Sequence, residues 1–115
     1  MLDVTIRKAE QLCRAEFSVF VGKAGDEPHA FATSLHNSLV APSRSVLILV
    51  DPAQRALEVV TGAWVRRTLT DRQVELAVAT MTRCFADDDL VGGLHRGITQ
   101  LAEHARAQAT LHAGS

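Results

Sequence analysis

The chain has 115 residues, 47% of them hydrophobic, and its 12 basic and 13 acidic side chains leave a net charge of −1. That length supports one packed core without disulfides or a structural metal. The balanced charge lacks the basic surplus of a general nucleic-acid binder or a polybasic membrane-surface protein.

The elements follow in order. Leu2, Ile6, Ala9 and Cys13 recur at helical spacing and lead into Phe17–Val21, a short β-branched and aromatic run stopped by Gly22. A turn-rich loop to Pro28 precedes a second helix carrying Phe31, Leu35 and Leu39, with Asp26 or Glu27 near its start and Pro42-Ser43 after its end. His29 and His36 lie seven apart on it and read as a solvated face, because two histidines without a carboxylate or third imidazole make a poor metal site.

Ser45–Val50 is apolar at alternate and intervening positions alike, the pattern of a central strand covered on both faces. Asp51-Pro52-Ala53-Gln54 reads as a turn with Pro at its second position, leading back into Leu57–Thr61. The first strand, second helix and central strand then form a right-handed βαβ unit, and the third strand returns antiparallel.

Thr70-Asp71-Arg72-Gln73 fits a capping box, which starts a third helix with the stripe Val74, Ala77, Val78, Met81, Phe85. A fourth helix carries Leu90, Leu94, Ile98, Leu101 and Ala105. The expected fold is α/β: a three-layer α/β/α sandwich around a small mixed sheet, in the order α-β-α-β-β-α-α. One domain spans 1–110, and the chain loses amphipathic logic after about Ala107, leaving a frayed tail at 111–115.

Several residue groups bear on chemistry. Asp87, Asp88 and Asp89 form the one acidic cluster. Calcium or magnesium would need more oxygens than one short loop can aim at a point, with Asp71 or Asp51 as the distant contributor. The plainer role is a cap: one Asp accepts from free amides at the start of the fourth helix and its neighbours complement the helix dipole. The cap without a resident metal is the expectation.

Gly92, Gly93 and Gly97 lack the Lys and Ser/Thr of a phosphate loop and the preceding strand of a dinucleotide fingerprint, so they read as close packing of the fourth helix on the sheet. Cys13 and Cys84 have neither zinc-ribbon nor redox spacing and sit on apolar stripes as buried free thiols. His95 has no Ser or Cys placed as a nucleophile. Trp64, the single tryptophan, stands beside Arg66 and Arg67 on a loop, either as a lid on the core or as an interface anchor.

Three pieces in this order carry a family resemblance: Arg55-Ala56-Leu57-Glu58-Val59-Val60-Thr61-Gly62, then Leu69-Thr70-Asp71, then Phe85-Ala86-Asp87-Asp88-Asp89-Leu90-Val91-Gly92-Gly93-Leu94 followed by Gly97. Together they resemble the TPM domain superfamily, and within it small actinobacterial members of unknown function. The resemblance implies an α/β/α sandwich and, from some members, divalent-cation binding and acid phosphatase activity; from others, assembly or repair of membrane complexes. Gln54, Val60 and Arg66 depart from the pattern, standing where carboxylates are common, which removes three candidate metal ligands.

The reading of function is therefore a non-catalytic binding or accessory domain of a bacterial protein. Its expected surface, Trp64, Arg66, Arg67 and Asp71 together with Asp87–Asp89, would contact a protein partner or small ligand. The alternative is a divalent-cation-dependent phosphomonoesterase, with calcium or magnesium on Asp87, Asp88, Asp89 and Asp51 and with Arg66 or Arg67 clamping the phosphoryl group. No nucleic acid and no integral membrane segment are expected, since no run approaches the ~18 apolar residues of a span. Asp3 and Glu10 interrupt any signal peptide, so the chain reads as cytoplasmic as written; a domain trimmed from an exported precursor would read the same way.

Overall fold

The computed structural model describes residues 2–113, with side chains through Arg106, so the expected frayed tail at 111–115 lies beyond the described side chains. The elements are α1 (Asp3–Cys13), β1 (Glu16–Val21), α2 (Pro28–Asn37), β2 (Ser45–Asp51), β3 (Ala56–Thr61), α3 (Asp71–Ala86) and α4 (Leu90–Ala113), with short 3-10 turns at Pro42–Arg44 and Val65–Arg67. The α/β sandwich expected from the sequence is the observed fold.

The sheet order is β1-β2-β3, with β2 in the middle. β1 runs parallel to β2, with Glu16 opposite Ser45 and Val21 opposite Val50. β3 runs antiparallel to β2, with Val46 opposite Thr61 and Asp51 opposite Ala56.

Strand alternation explains the layers, because successive side chains of β2 leave opposite faces. Val46, Ile48 and Val50 face α1, α3 and α4 and join Ala9, Met81, Leu94, Ile98 and Leu101 in the larger core. Leu47 and Leu49 face α2 and meet Ala32, Phe31, Leu35 and Val60 in the smaller one. All seven residues of β2 are buried, as a strand covered on both faces must be.

Three local expectations need correction. His36 is not on a solvated face: it is 5% exposed, and its Nε2 lies 2.9 Å from the Ser45 carbonyl, which makes that nitrogen the donor. Seven residues are nearly two full turns, so the two histidines do share a side; His36, in the last turn, lies over the start of β2, whereas His29, in the first turn, stays outside, paired with Glu58 Oε1 at 2.9 Å. Gly93 and Gly97 do give close packing, but against α3 rather than the sheet: a Cβ at these positions would meet Phe85 and Met81 respectively. Cys84 lies in that same seam and is half-buried, whereas Cys13 is buried, its Sγ donating to the Ala9 carbonyl at 3.2 Å. Burial pushes the Cys13 thiol pKa up, leaving it protonated and unreactive.

Candidate functional site

The chain exposes chemistry at the two opposite ends of β2. At the carboxyl end, the β2–β3 hairpin turns through Pro52 and Ala53, with the Gln54 amide donating to the Asp51 carbonyl at 3.2 Å. Arg55 then takes a left-handed conformation (φ 56°), which closes the hairpin with the twist that its strands require.

Asp51, the last residue of β2, is 2% exposed. Its Oδ2 accepts from the Ala24 amide at 2.8 Å and from Gln54 Nε2 at 2.7 Å, and its Oδ1 accepts from the Ala53 amide at 3.2 Å. The Ala24 amide first, and the Gln54 side chain second, hold the Asp51 carboxyl below the usual carboxylate pKa range. The carboxylate thus ties the loop after β1 to the hairpin.

Facing the hairpin is the corner between α3 and α4. Asp87 follows α3, Asp88 takes a left-handed conformation (φ 59°), and Asp89 Oδ1 accepts from the Gly92 amide at 3.0 Å. One Asp therefore caps α4, while Asp87 and Asp88 are exposed. Between corner and hairpin lies a cavity of about 480 Å³, floored by Leu57, Phe85 and Leu90 and edged by Asp51, Arg55, Thr82 and Asp88. Asp51 and Asp88 thus share one cavity, so of the two distant carboxylates that the sequence offered to the acidic run, Asp51 and not Asp71 lies beside it. Among the described residues, no group of three or more His, Cys, Asp or Glu side chains converges as a metal site.

The other end is built around Gly62. Its amide donates to the Ser45 carbonyl at 3.0 Å, the Trp64 amide donates to the Ser43 carbonyl at 3.0 Å, and the Arg66 amide returns to the Gly62 carbonyl at 3.0 Å. The chain crosses so closely beneath the Pro42–Arg44 turn that a Cβ on Gly62 would run into the carbonyl oxygens of Pro42 and Ser43. This crossing delivers Trp64 half-buried against the larger core.

Two guanidiniums stack on the indole, Arg44 with its Cζ at 4.0 Å from the ring centroid and Arg67 at 5.0 Å. Arg67 Nε also donates to the Trp64 carbonyl at 3.3 Å, Arg44 Nη2 donates to the Arg14 carbonyl at 3.2 Å, and Arg66 Nη1 donates to the Thr61 carbonyl. Arg44 was missed by sequence reasoning, since it precedes Trp64 by twenty positions and only the β2–β3 pairing brings them together.

The single surface expected from Trp64–Asp71 together with Asp87–Asp89 does not form. Asp71 sits in the first turn of α3 and Asp87 follows its last residue. A 16-residue helix therefore separates them, about 24 Å of rise. Thr70 does form the expected capping box, its Oγ1 accepting from the Gln73 amide at 3.2 Å while Gln73 Oε1 accepts from the Thr70 amide at 2.9 Å. His95 pairs with Thr5, Nδ1 to Oγ1 at 2.8 Å, joining α1 to α4. No carboxylate orients that imidazole among the described residues, so the pair lacks the third group of a nucleophilic triad.

The family model described as "Domain of unknown function (DUF5130)" matches residues 1–102. The chain belongs to this family. Two relatives, uncharacterized protein Rv2468c of Mycobacterium tuberculosis strain ATCC 25618 / H37Rv and uncharacterized protein MT2543 of strain CDC 1551 / Oshkosh, are each 31% identical over 101 residues. Those residues are 88% of this chain and 60% of each relative, so the chain spans less than two-thirds of their length.

Among solved structures, the BA42 protein of the psychrophilic bacterium Bizionia argentinensis superposes with a TM-score of 0.79 at 19% identity, covering 91% of this chain and 75% of that one. The N-terminal domain of a protein from P. gingivalis gives 0.77 at 18% identity, covering 93% and 73%. At these identities the likeness establishes the α/β fold. Among the described residues, no helix is long and apolar enough to cross a membrane.

Proposed function

We propose that this family member is a non-catalytic binding module, an accessory part of a bacterial protein, that receives a small ligand in the cavity at the hairpin end. The observation that carries the reading is the cavity's position and lining. It lies beyond the carboxyl end of β2, where open α/β sheets commonly bind ligands. It also combines an apolar floor of Leu57, Phe85 and Leu90 with a few polar groups at its edge, the composition of a recognition pocket. Asp51 is committed to Ala24, Ala53 and Gln54, so it shapes this pocket more than it offers free oxygens.

The test is a fragment titration followed by amide NMR shifts. Fragments with an apolar ring and one charged group should move Val50, Ala56, Thr82 and Ala86, and the response should vanish in Ala86→Trp, which plugs the cavity from an exposed position. Shifts scattered over the surface, or unchanged by the plug, would sink the reading.

The kinship with TPM domains expected from the sequence supplies a second reading, a divalent-cation-dependent phosphomonoesterase. The sharing of one cavity by Asp51 and Asp88, with Arg55 at its edge, favours it. In that reading the two carboxylates would hold calcium or magnesium and Arg55 would take the phosphoryl group, in place of the distant Arg66 and Arg67. Saturable magnesium or calcium binding, with phosphate-ester turnover lost in Asp88→Asn, would promote it over the binding module. Absence of both would retire it.

A further inference from the structure

We infer a second site, for a phosphate-bearing anion, on the arginine–tryptophan face at the amino-terminal end of β2. Arg14 ends α1, Arg44 precedes β2, and Arg66 and Arg67 follow β3; the sheet topology gathers all four at one end of the molecule. The proposal is independent of the hairpin cavity, which lies at the other end.

The guanidiniums are held in place without being neutralised. Arg44, Arg66 and Arg67 each donate one N–H to a backbone carbonyl, and Arg44 and Arg67 also stack on Trp64. A guanidinium carries five donors, so most of each fork remains uncommitted. Of the carboxylates near them in the chain, Glu16 and Asp71 are exposed and Glu10 accepts from the Phe17 amide at 3.0 Å; none is ion-paired with these arginines among the described residues. The ion pairs among the described residues lie elsewhere, at His29–Glu58 and Glu103–Arg106.

Cations gathered without a counter-charge repel one another, and an anion seated between them relieves that repulsion. Stacking matters here because it fixes the planar forks before an anion arrives, so less rotamer freedom is lost on binding. The two stacked guanidinium carbons lie 4.0 and 5.0 Å from the centroid of one ring, so both forks are held at the same indole, where a diphosphate has a phosphoryl group for each. A phosphoryl group suits them, with its multiple oxygens and more than one negative charge, because each fork can take two oxygens in parallel. A single carboxylate has oxygens for only one fork.

Trp64 is the one tryptophan, so its emission reports directly on this face. The intact chain is titrated with pyrophosphate, and separately with phosphatidylglycerol vesicles against phosphatidylcholine vesicles, at low salt and at about 150 mM. A saturable change in Trp64 emission is expected, with amide shifts at Ser43, Arg44 and Trp64–Arg67. Affinity should fall about tenfold or more in Arg44→Gln and in Arg67→Gln and stay unchanged in Arg55→Gln at the opposite end. Arg44→Lys keeps charge but loses the fork, so it should weaken binding severalfold even where the Gln variants are less stable.

Response to pyrophosphate assigns a soluble phosphate ligand, and response only to phosphatidylglycerol vesicles assigns a lipid headgroup; both support the site. A response matched by sodium chloride at equal ionic strength would reduce it to screening and overturn it. So would a response equally strong in all four variants, or no response in any arm.

Discussion

The two ends of β2 solve opposite electrostatic problems with the same strand. At its carboxyl end a buried carboxylate, Asp51, is satisfied by three donors, two of them backbone amides, and becomes a structural tie. At its amino end, arginines are fixed by carbonyls and an indole while their charge stays open to solvent. A charged group that is saturated inside the fold holds the fold together. One that is oriented but unsaturated is available to a ligand.

The largest expected effect tests whether the arginine end depends on backbone contact. Gly62→Ala places a methyl group against the Pro42 and Ser43 carbonyls, neither of which can swing aside as a side chain could. It should destabilise the domain by about 1–3 kcal/mol or more, read as a lower urea midpoint, and should change Trp64 emission in the folded state. A wild-type midpoint would mean that the Pro42–Arg44 turn yields to a methyl group at this crossing.

A smaller effect is expected at the hairpin end. Asp51→Ala leaves the Ala24 amide without its acceptor, which should lower the melting temperature and speed hydrogen exchange at Ala24 ahead of the rest of the sheet. The same carboxylate sets a pH dependence. Its folded-state pKa lies below the unfolded value, so its stabilisation is complete above the ordinary carboxylate range and is lost as pH falls through that range to the folded-state value. Asp51→Asn should therefore flatten the acid limb of a stability–pH profile while leaving the Trp64 face intact. An unchanged limb would remove Asp51 from that role.

The smallest effect lies between the two ends, on α3. Thr70→Ala breaks the capping box and should cost about 1 kcal/mol, without altering ligand response at either end. A loss of pyrophosphate response in this variant would show that the start of α3 belongs to the arginine face.

Sequence alone determined the elements, the middle place of Ser45–Val50 and the layering, because these follow from local periodicities. A strand buried at every position must lie between helices, and a Thr-x-x-Gln box must start one. It also determined that one aspartate of the Asp87–Asp89 run would turn to the amides of α4, since capping acts within a single turn. What the tertiary structure decided was every juxtaposition across the sheet. It placed Arg44 on Trp64, chose Asp51 over Asp71 as the carboxylate that shares a cavity with Asp88, separated Asp71 from Asp87 by the length of α3, and drew His36 inside. The reason is physical: a periodicity records which face of an element is apolar, whereas strand pairing and helix packing set what each face meets. A net charge of −1 likewise says nothing of where the charges lie. Only the pairing of β2 with both its neighbours and the crossing at Gly62 gather arginines at one end and leave the acidic corner at the other.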